Sequence, residues 1–338
     1  MSTYDVVIIG GGPAGLGAAV NLCRARRDVL VIDAGTPRNA RAGQVHGYLG
    51  REGIEPQELL AIGRAEVEQY GGAVRNGTVV DVERINGSTL RVTLADGSTV
   101  AARRVLVATG VVDELPAIPG LADRWGRDVL HCAYCHAWEV RDKAVGLIGS
   151  GAASLHQAQL WRQWTDRVTL FTNESVDLTP TNRAELAARG IAVVPGRVTG
   201  IEVTDDELSG IRVGETVTGV QVAVVFPVSV AKVDLLAGLG LRAAEKLMDD
   251  QVIGATVTAE NEMGMTTVPG VWVAGNLRGH RAQVIDAAAQ GGQTGAMINI
   301  DLVHEDVRNA VDVYPFPPEL ERQVTERVLG ARRHGLTP

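Results

Sequence analysis

Cysteine is scarce: three residues in 338, Cys23, Cys132 and Cys135. That count excludes a small secreted scaffold built on a disulfide framework. Long apolar runs are absent as well, and a membrane-spanning helix needs about 18 or more such residues. Positive charge is in deficit, with 32 Lys and Arg against 40 Asp and Glu, a net charge of -8. Nucleic acid and anionic membrane are therefore not expected as partners. The first residues lack a basic n-region, an apolar h-region and a cleavage site, so the expected location is cytoplasmic. Length and an ordinary 45% hydrophobic content suit two domains with full cores.

Two of the three cysteines are separated by only two residues, in His131-Cys132-Ala133-Tyr134-Cys135-His136. A lone Cys-x-x-Cys in a cytosolic α/β context reads as redox-active. The competing reading is zinc, which needs four ligands. His131 and His136 adjoin the pair, but no second Cys-x-x-Cys or His-x-x-His occurs, so no metal is expected. Cys23 falls in a helical pattern and reads as a buried, inert thiol.

Glycine-rich turns flank the pair. The run Asp5–Ile9 reads as a buried parallel strand and leads into Gly10-x-Gly12-x-x-Gly15, with Pro13 and Ala14 inside the turn. A helix over Ala14–Arg26 and a strand Val29–Ile32 ending at Asp33 complete a βαβ unit. Its glycines permit close approach of a pyrophosphate to backbone N–H groups, and Asp33 is placed to bond an adenosine ribose. A helix is expected near Pro56–Tyr70. Segments 78–85, 89–94 and 99–101 alternate and read as antiparallel hairpins, and 105–110 as a further buried strand. After the cysteines come a strand 144–148, a turn with Gly149 and Gly151, a helix 154–164 and a strand 168–171, a second βαβ unit. More hairpin-like strands follow through 191–230. Then come the strand and turn Val271–Asn276 and a helix over 284–303.

Together, Gly10–Gly15 with Asp33, Ala108-Thr109-Gly110, the Cys132–Cys135 pair and the late Ala274-Gly275 turn resemble the low-molecular-weight thioredoxin reductases over about residues 4–304. The resemblance implies an α/β fold of two nested Rossmann-like nucleotide-binding domains. The parts would be an FAD-binding domain over 1–115 and 246–304, an inserted NADPH-domain-like module over 116–245 carrying the cysteines, and a C-terminal extension over 305–338. It also implies a homodimer, FAD held by Gly10, Gly12, Pro13, Ala14, Gly15, Asp33, Ala108, Thr109, Gly110, Gly275, Asn276, Gln283 and Val284, and a division of labour in the cysteine pair. Cys135 would face the flavin and Cys132 would attack the external sulfur partner.

Three departures bear on direction. The strand 168–171 runs into Thr172-Asn173-Glu174, and no Arg or Lys follows until Arg183. A 2'-phosphate wants such cations. The second glycine motif also ends in Ser154, so the pyridine-nucleotide site reads as lost. His136 replaces the usual Asp after the second cysteine and can act as a base toward an incoming thiol. Asn276 and Ala282-Gln283 stand where the reductases carry Asp and Arg-Gln. With the stretch through Trp138-Glu139-Val140-Arg141, these features resemble the gliotoxin- and holomycin-type dithiol oxidases of sulfur natural-product pathways. That branch implies oxidation of a small-molecule dithiol, with O2 reduced to H2O2. The alternative is a thioredoxin or other disulfide reductase driven by NADPH, NADH or ferredoxin. A non-catalytic redox sensor is a third reading. His46, His280 and Trp138 are further pocket candidates, but each reads more readily as structural. In the tail, Tyr314, Phe316 and Pro315, Pro317 and Pro318 precede a helical pattern over Glu319–Arg333. Its apolar stripe Leu320, Val324, Val328 and Leu329 suits dimer packing or a lid.

Overall fold

The computed structural model describes residues 3–151, 153–248, 251–313 and 317–329. The chain divides into two compact units, Met1–Ala296 and Met297–Pro338.

The first unit opens as its glycine spacing predicts. Strand β1 (Thr3–Ile9) is followed by helix α1 (Pro13–Arg24) and strand β2 (Val29–Asp33). Val6 to Ile9 pair in parallel with Val29 to Ile32 and are buried on both faces, which is why the run is uniformly apolar rather than alternating. Around this pair the sheet runs Ala73–Asn76, β2, β1, Thr99–Val107, Thr89–Leu94, Val79–Asn86. The two strands expected over 99–101 and 105–110 are one strand, Thr99–Val107. Arg103 and Arg104, which break the apolar run in the sequence, stay within the strand. Arg103 donates to Asp5 at 2.8 Å, and Arg104 is buried and donates to the Arg103 carbonyl at 2.9 Å. The first half of this strand pairs antiparallel with Thr89–Leu94, and its last residues pair in parallel with Val271–Val273.

A second parallel sheet holds Ala192–Val194, Val168–Phe171, Val145–Ile148, Val222–Val224 and Val129–Leu130, in that order. Ala192–Val194, expected as part of a hairpin, pairs in parallel with Val168–Phe171. The helix after Gly151 spans Ala153–Trp161 and so stops short of Trp164. A hairpin sheet (Val198–Thr204, Glu207–Val213, Thr216–Thr218) covers one side. A four-stranded sheet joins Ala243–Met248, Gln251–Val257, Val228–Val230 and Val112–Glu114. Two βαβ units in one chain, each with its own apolar cluster, are the two Rossmann-like bodies expected.

The helix expected over 284–303 runs from Val284 to Val313. Its early turns lie against α1 through small residues. A Cβ on Gly291 would collide with the Ala14 carbonyl and one on Gly17 would lie 2.6 Å from the Ala288 carbonyl, while Asn21 donates to the Gly292 carbonyl at 2.8 Å. In the second unit, Pro318–Leu329 is helical, with Arg322 bridging Glu319 and Glu326. Val324 and Val328 are exposed. The residues Tyr314, Pro315 and Phe316 and the end of the predicted helix, 330–333, lie outside the described residues.

Candidate redox site

The first glycine turn is built by close approach. Gly10 sits at φ +107°, and a Cβ there would lie 2.5 Å from the Ala108 carbonyl oxygen. A Cβ on Gly15 would run into the Gly10 carbonyl, and one on Gly275, at φ +69°, would lie 2.8 Å from Ala14 Cβ. Three distant motifs therefore meet at the ends of β1, Thr99–Val107 and Val271–Val273. Gly12 is the N-cap of α1, with no side-chain cap, Pro13 in the first turn and nothing within 4 Å of where its Cβ would be. Gly110, at φ +69°, faces similar open space, with Thr109 exposed beside it. Uncapped N–H groups at a helix N-terminus beside bare glycine form a cradle that fits a pyrophosphate. The residues present thus fit an FAD group.

Asp33 organises this turn. Its Oδ1 accepts from Gly11 N at 3.1 Å and its Oδ2 pairs with Arg64 at 3.0 Å. Arg64 had no signal in the sequence. Asn276 spends its amide donors on its own loop, at 3.3 Å to the Gly279 carbonyl and 3.0 Å to the Ala282 carbonyl, leaving its oxygen for a ligand hydroxyl. Gln283 N donates to Asp286 at 3.0 Å just before Val284 opens the long helix. Gly15→Val is expected to leave the purified protein without flavin and to lower its melting temperature, because the new side chain collides with backbone. The flavin absorbance band and a thermal melt check this.

Cys132 and Cys135 form a disulfide with Cα atoms 5.2 Å apart. Cys132 caps the one-turn helix Ala133–His136 that follows the strand Val129–Leu130, and both sulfur-bearing residues are half-buried. Two histidines flank the pair. His131 packs edge-on against Phe226 and is pushed down to about 4 by burial first, then by the Arg38 charge, so it is neutral at physiological pH. His136 is also lowered by burial, against an opposing pull from Glu139. Glu139 is itself tethered. His46 reaches it through Nε2 at 3.3 Å, while His46 Nδ1 lies 2.7 Å from Glu52, which also accepts from Gly47 N at 2.8 Å. His46 was readable as structural, and its link to Glu139, 93 positions away in the sequence, has no local signal. Trp138 is exposed and carries Arg141 stacked at 4.4 Å. Cys23 is buried, its thiol pushed up to about 11 chiefly by burial, and takes no part. Among the described residues no cluster suits a metal ion, and no helix is long and apolar enough to cross a membrane.

The second glycine turn is different in kind. Ser150 N donates to the Ser154 hydroxyl at 2.9 Å, so the turn is bonded by its own side chain. Ser154 is buried. The Gln251 amide lies against Gly151, where a Cβ would collide with it. Asn173 bonds the Gly149 carbonyl at 3.1 Å, and Asn173 and Glu174 both adopt positive φ, turning the chain beyond Phe171 without presenting a cation. In a nucleotide-binding βαβ unit this volume belongs to the pyrophosphate. Here the Gln251 amide stands against Gly151 and the Ser154 hydroxyl takes the Ser150 N–H, so the described residues are a poor fit for a pyridine dinucleotide.

Residues 4–292 match the model of the pyridine nucleotide-disulphide oxidoreductase family. The solved structure of HlmI superposes with a TM-score of 0.83 at 41% identity, covering 92% of this chain and 96% of that one. Thioredoxin reductase tcpT of Claviceps purpurea is 27% identical over 94% of this chain and 100% of its own length. A protein of Arthroderma benhamiae named "Probable thioredoxin reductase" is 35% identical over 152 residues, and the chain spans only 38% of its length.

Proposed function

Because the chain belongs to the pyridine nucleotide-disulphide oxidoreductase family, as a thiol–disulfide oxidoreductase, we propose that it is an FAD-dependent oxidase of a small-molecule dithiol. The observation that carries this reading is a redox pair beside a base, in a fold whose second glycine turn is filled by Ser154 and Gln251. Electrons then enter from thiols rather than from a nicotinamide.

In this reading His136 takes the proton from one substrate thiol. The thiolate attacks Cys132 Sγ, the Cys132–Cys135 bond breaks and Cys135 leaves as a thiolate, to which His136 can return the proton. The second substrate thiol attacks the substrate sulfur of the mixed disulfide. That closes the substrate's own disulfide and releases Cys132. Two electrons and two protons now rest on the enzyme pair. A bound flavin supplies the two-electron relay from this dithiol to O2, giving H2O2. The sum is dithiol plus O2 to disulfide plus H2O2. The flavin-holding parts are 1–115 and 246–304, the module between them carries the pair, and the working form is a homodimer in the cytoplasm.

The test is stoichiometric. A small dithiol in air is expected to yield one H2O2 per disulfide formed. Disulfide formation without peroxide would sink the O2 step. The names of the fungal relatives favour a second reading, a disulfide reductase. That reading requires an electron donor that reduces the resting enzyme.

His136 also sets an expected pH profile. Only its neutral form is a base, so activity rises with pH through its pKa and is complete above it. Burial places that pKa below the ordinary histidine value of about 6.5. The rising limb of kcat/KM attributable to His136 should therefore lie on the acid side of 6.5. Glu139→Gln removes the upward pull and should move the limb further toward acid. His136→Ala should lose the limb and about a hundredfold or more in rate. A limb that does not move in Glu139→Gln would refute the assignment.

A further inference from the structure

A cleft of about 500 Å³ opens between the loop Gly279–Ala282, the first turns of the helix that begins at Val284, and Lys246 on the strand Ala243–Met248. Two cations and one carboxylate line it, in a protein of net charge -8. Lys246 and Arg281 line it, and neither has an ion-pair partner among the described residues. The carboxylate present, Asp286, already accepts from Gln283 N. His280 lines the cleft with them, and its pKa is lowered by burial first and then by the charges of Arg281, Arg38 and Lys246. Two cations without an ion-pair partner among the described residues, on a concave, partly apolar wall, suit an anion.

Arg38 links the cleft's loop to the segment that packs on His131. The Arg38 guanidinium, held by Asp113 at 2.6 Å, donates to the His280 carbonyl at 3.3 Å. Arg38 also donates to the Ser229 hydroxyl at 3.2 Å, three residues beyond Phe226, and His131, next in sequence to Cys132, packs on the Phe226 ring at 4.8 Å. The cleft is thus on the His131 side of the disulfide, and the Glu139–His46 link is on the His136 side.

We infer that Lys246 and Arg281 receive a carboxylate of the thiol substrate, so that the preferred substrate is an anionic dithiol. The inference rests on the dithiol oxidase reading. Lys246 offers a point charge and Arg281 a planar fork, together suited to a carboxylate carried on a flexible or cyclic dithiol.

Dihydrolipoate and dihydrolipoamide test it, because they share one dithiol and differ in a carboxylate. With the flavin-loaded full chain under anaerobic conditions, the second-order rate of flavin bleaching should be about five- to tenfold higher for dihydrolipoate at low salt. The ratio should fall toward one in ~0.5 M salt and in the Lys246→Met/Arg281→Met variant. Calorimetry with oxidised lipoate and lipoamide reads the cleft without any thiol chemistry. Lipoate alone should bind, and the double variant should lose that binding. Equal rates, or a preference untouched by the double substitution, would overturn the inference. If neither dithiol bleaches the flavin, the oxidase reading fails. The cleft is then judged by calorimetry, where equal or absent binding of the two oxidised probes overturns it.

Discussion

Cys132→Ser is expected to abolish dithiol-dependent flavin bleaching and peroxide formation, a loss of roughly a thousandfold or more, while the yellow colour of the protein stays. Both cysteines sit on a single helical turn, with Cys132 as its cap and Cys135 inside it, and they are already bonded to one another. A substrate thiolate needs a disulfide to attack, and serine at either position removes it. The glycine turn proposed to hold the flavin, with Gly10, Gly12, Gly15, Ala108 and Gly275, contains neither cysteine, so cofactor retention separates loss of chemistry from loss of fold. The two single variants should differ in a way that assigns the roles. In Cys135→Ser the lone Cys132 thiolate can attack a small disulfide, forming a mixed disulfide and expelling one small thiol. Mass spectrometry should then find the adduct on Cys132. In Cys132→Ser the same reagent should label Cys135 far more slowly. Equal labelling would mean that the two sulfurs are not distinguished by access, and the assignment of Cys132 as the attacked sulfur would fall.

How much of this was legible in the sequence depends on how far apart the parts lie. Gly10, Gly12, Gly15 and Asp33 are within one βαβ unit, so spacing alone predicts their meeting, and Gly11 N on Asp33 is that meeting. Cys132, Cys135 and His136 share one turn and are equally local. Burial state is written less plainly. Arg103 and Arg104 look like a strand break because charge in an apolar run normally marks a surface, yet they remain within Thr99–Val107. Contacts between distant segments leave no local trace. Arg64 on Asp33, His46 on Glu139 and Gln251 on Gly151 each join a motif residue to one whose own sequence neighbourhood carries none. The end of the long helix, at Val313, carries no sequence signal for a simpler reason. Past Val303 the sequence turns polar, with His304, Glu305 and Asp306, but none of these residues breaks a helix.

Those distant contacts lead to the second large effect. Mixing the flavin-loaded protein with excess NADPH, or with NADH, without oxygen is expected to leave the flavin band unchanged over about ten minutes. A nicotinamide-driven enzyme turning over at even ~1 s⁻¹ would bleach within seconds. Two independent obstacles support this outcome, and they can be separated. One is steric: the Gln251 amide lies over Gly151, and the Ser154 hydroxyl takes the Ser150 N–H that a pyrophosphate would use. The other is electrostatic: Thr172, Asn173 and Glu174 follow the strand where a 2'-phosphate needs cations. Gln251→Gly removes the amide from the first obstacle and leaves Ser154 and the second obstacle in place. It is therefore expected to gain, at most, weak binding of NADH, with less gain for NADPH, measured by calorimetry rather than turnover. If NADPH bleaches the unmodified protein rapidly, then Gln251 moves aside in solution and the chain works as a reductase. A small dithiol that bleaches the flavin when neither nucleotide does would instead fix the direction of electron flow as thiol to flavin.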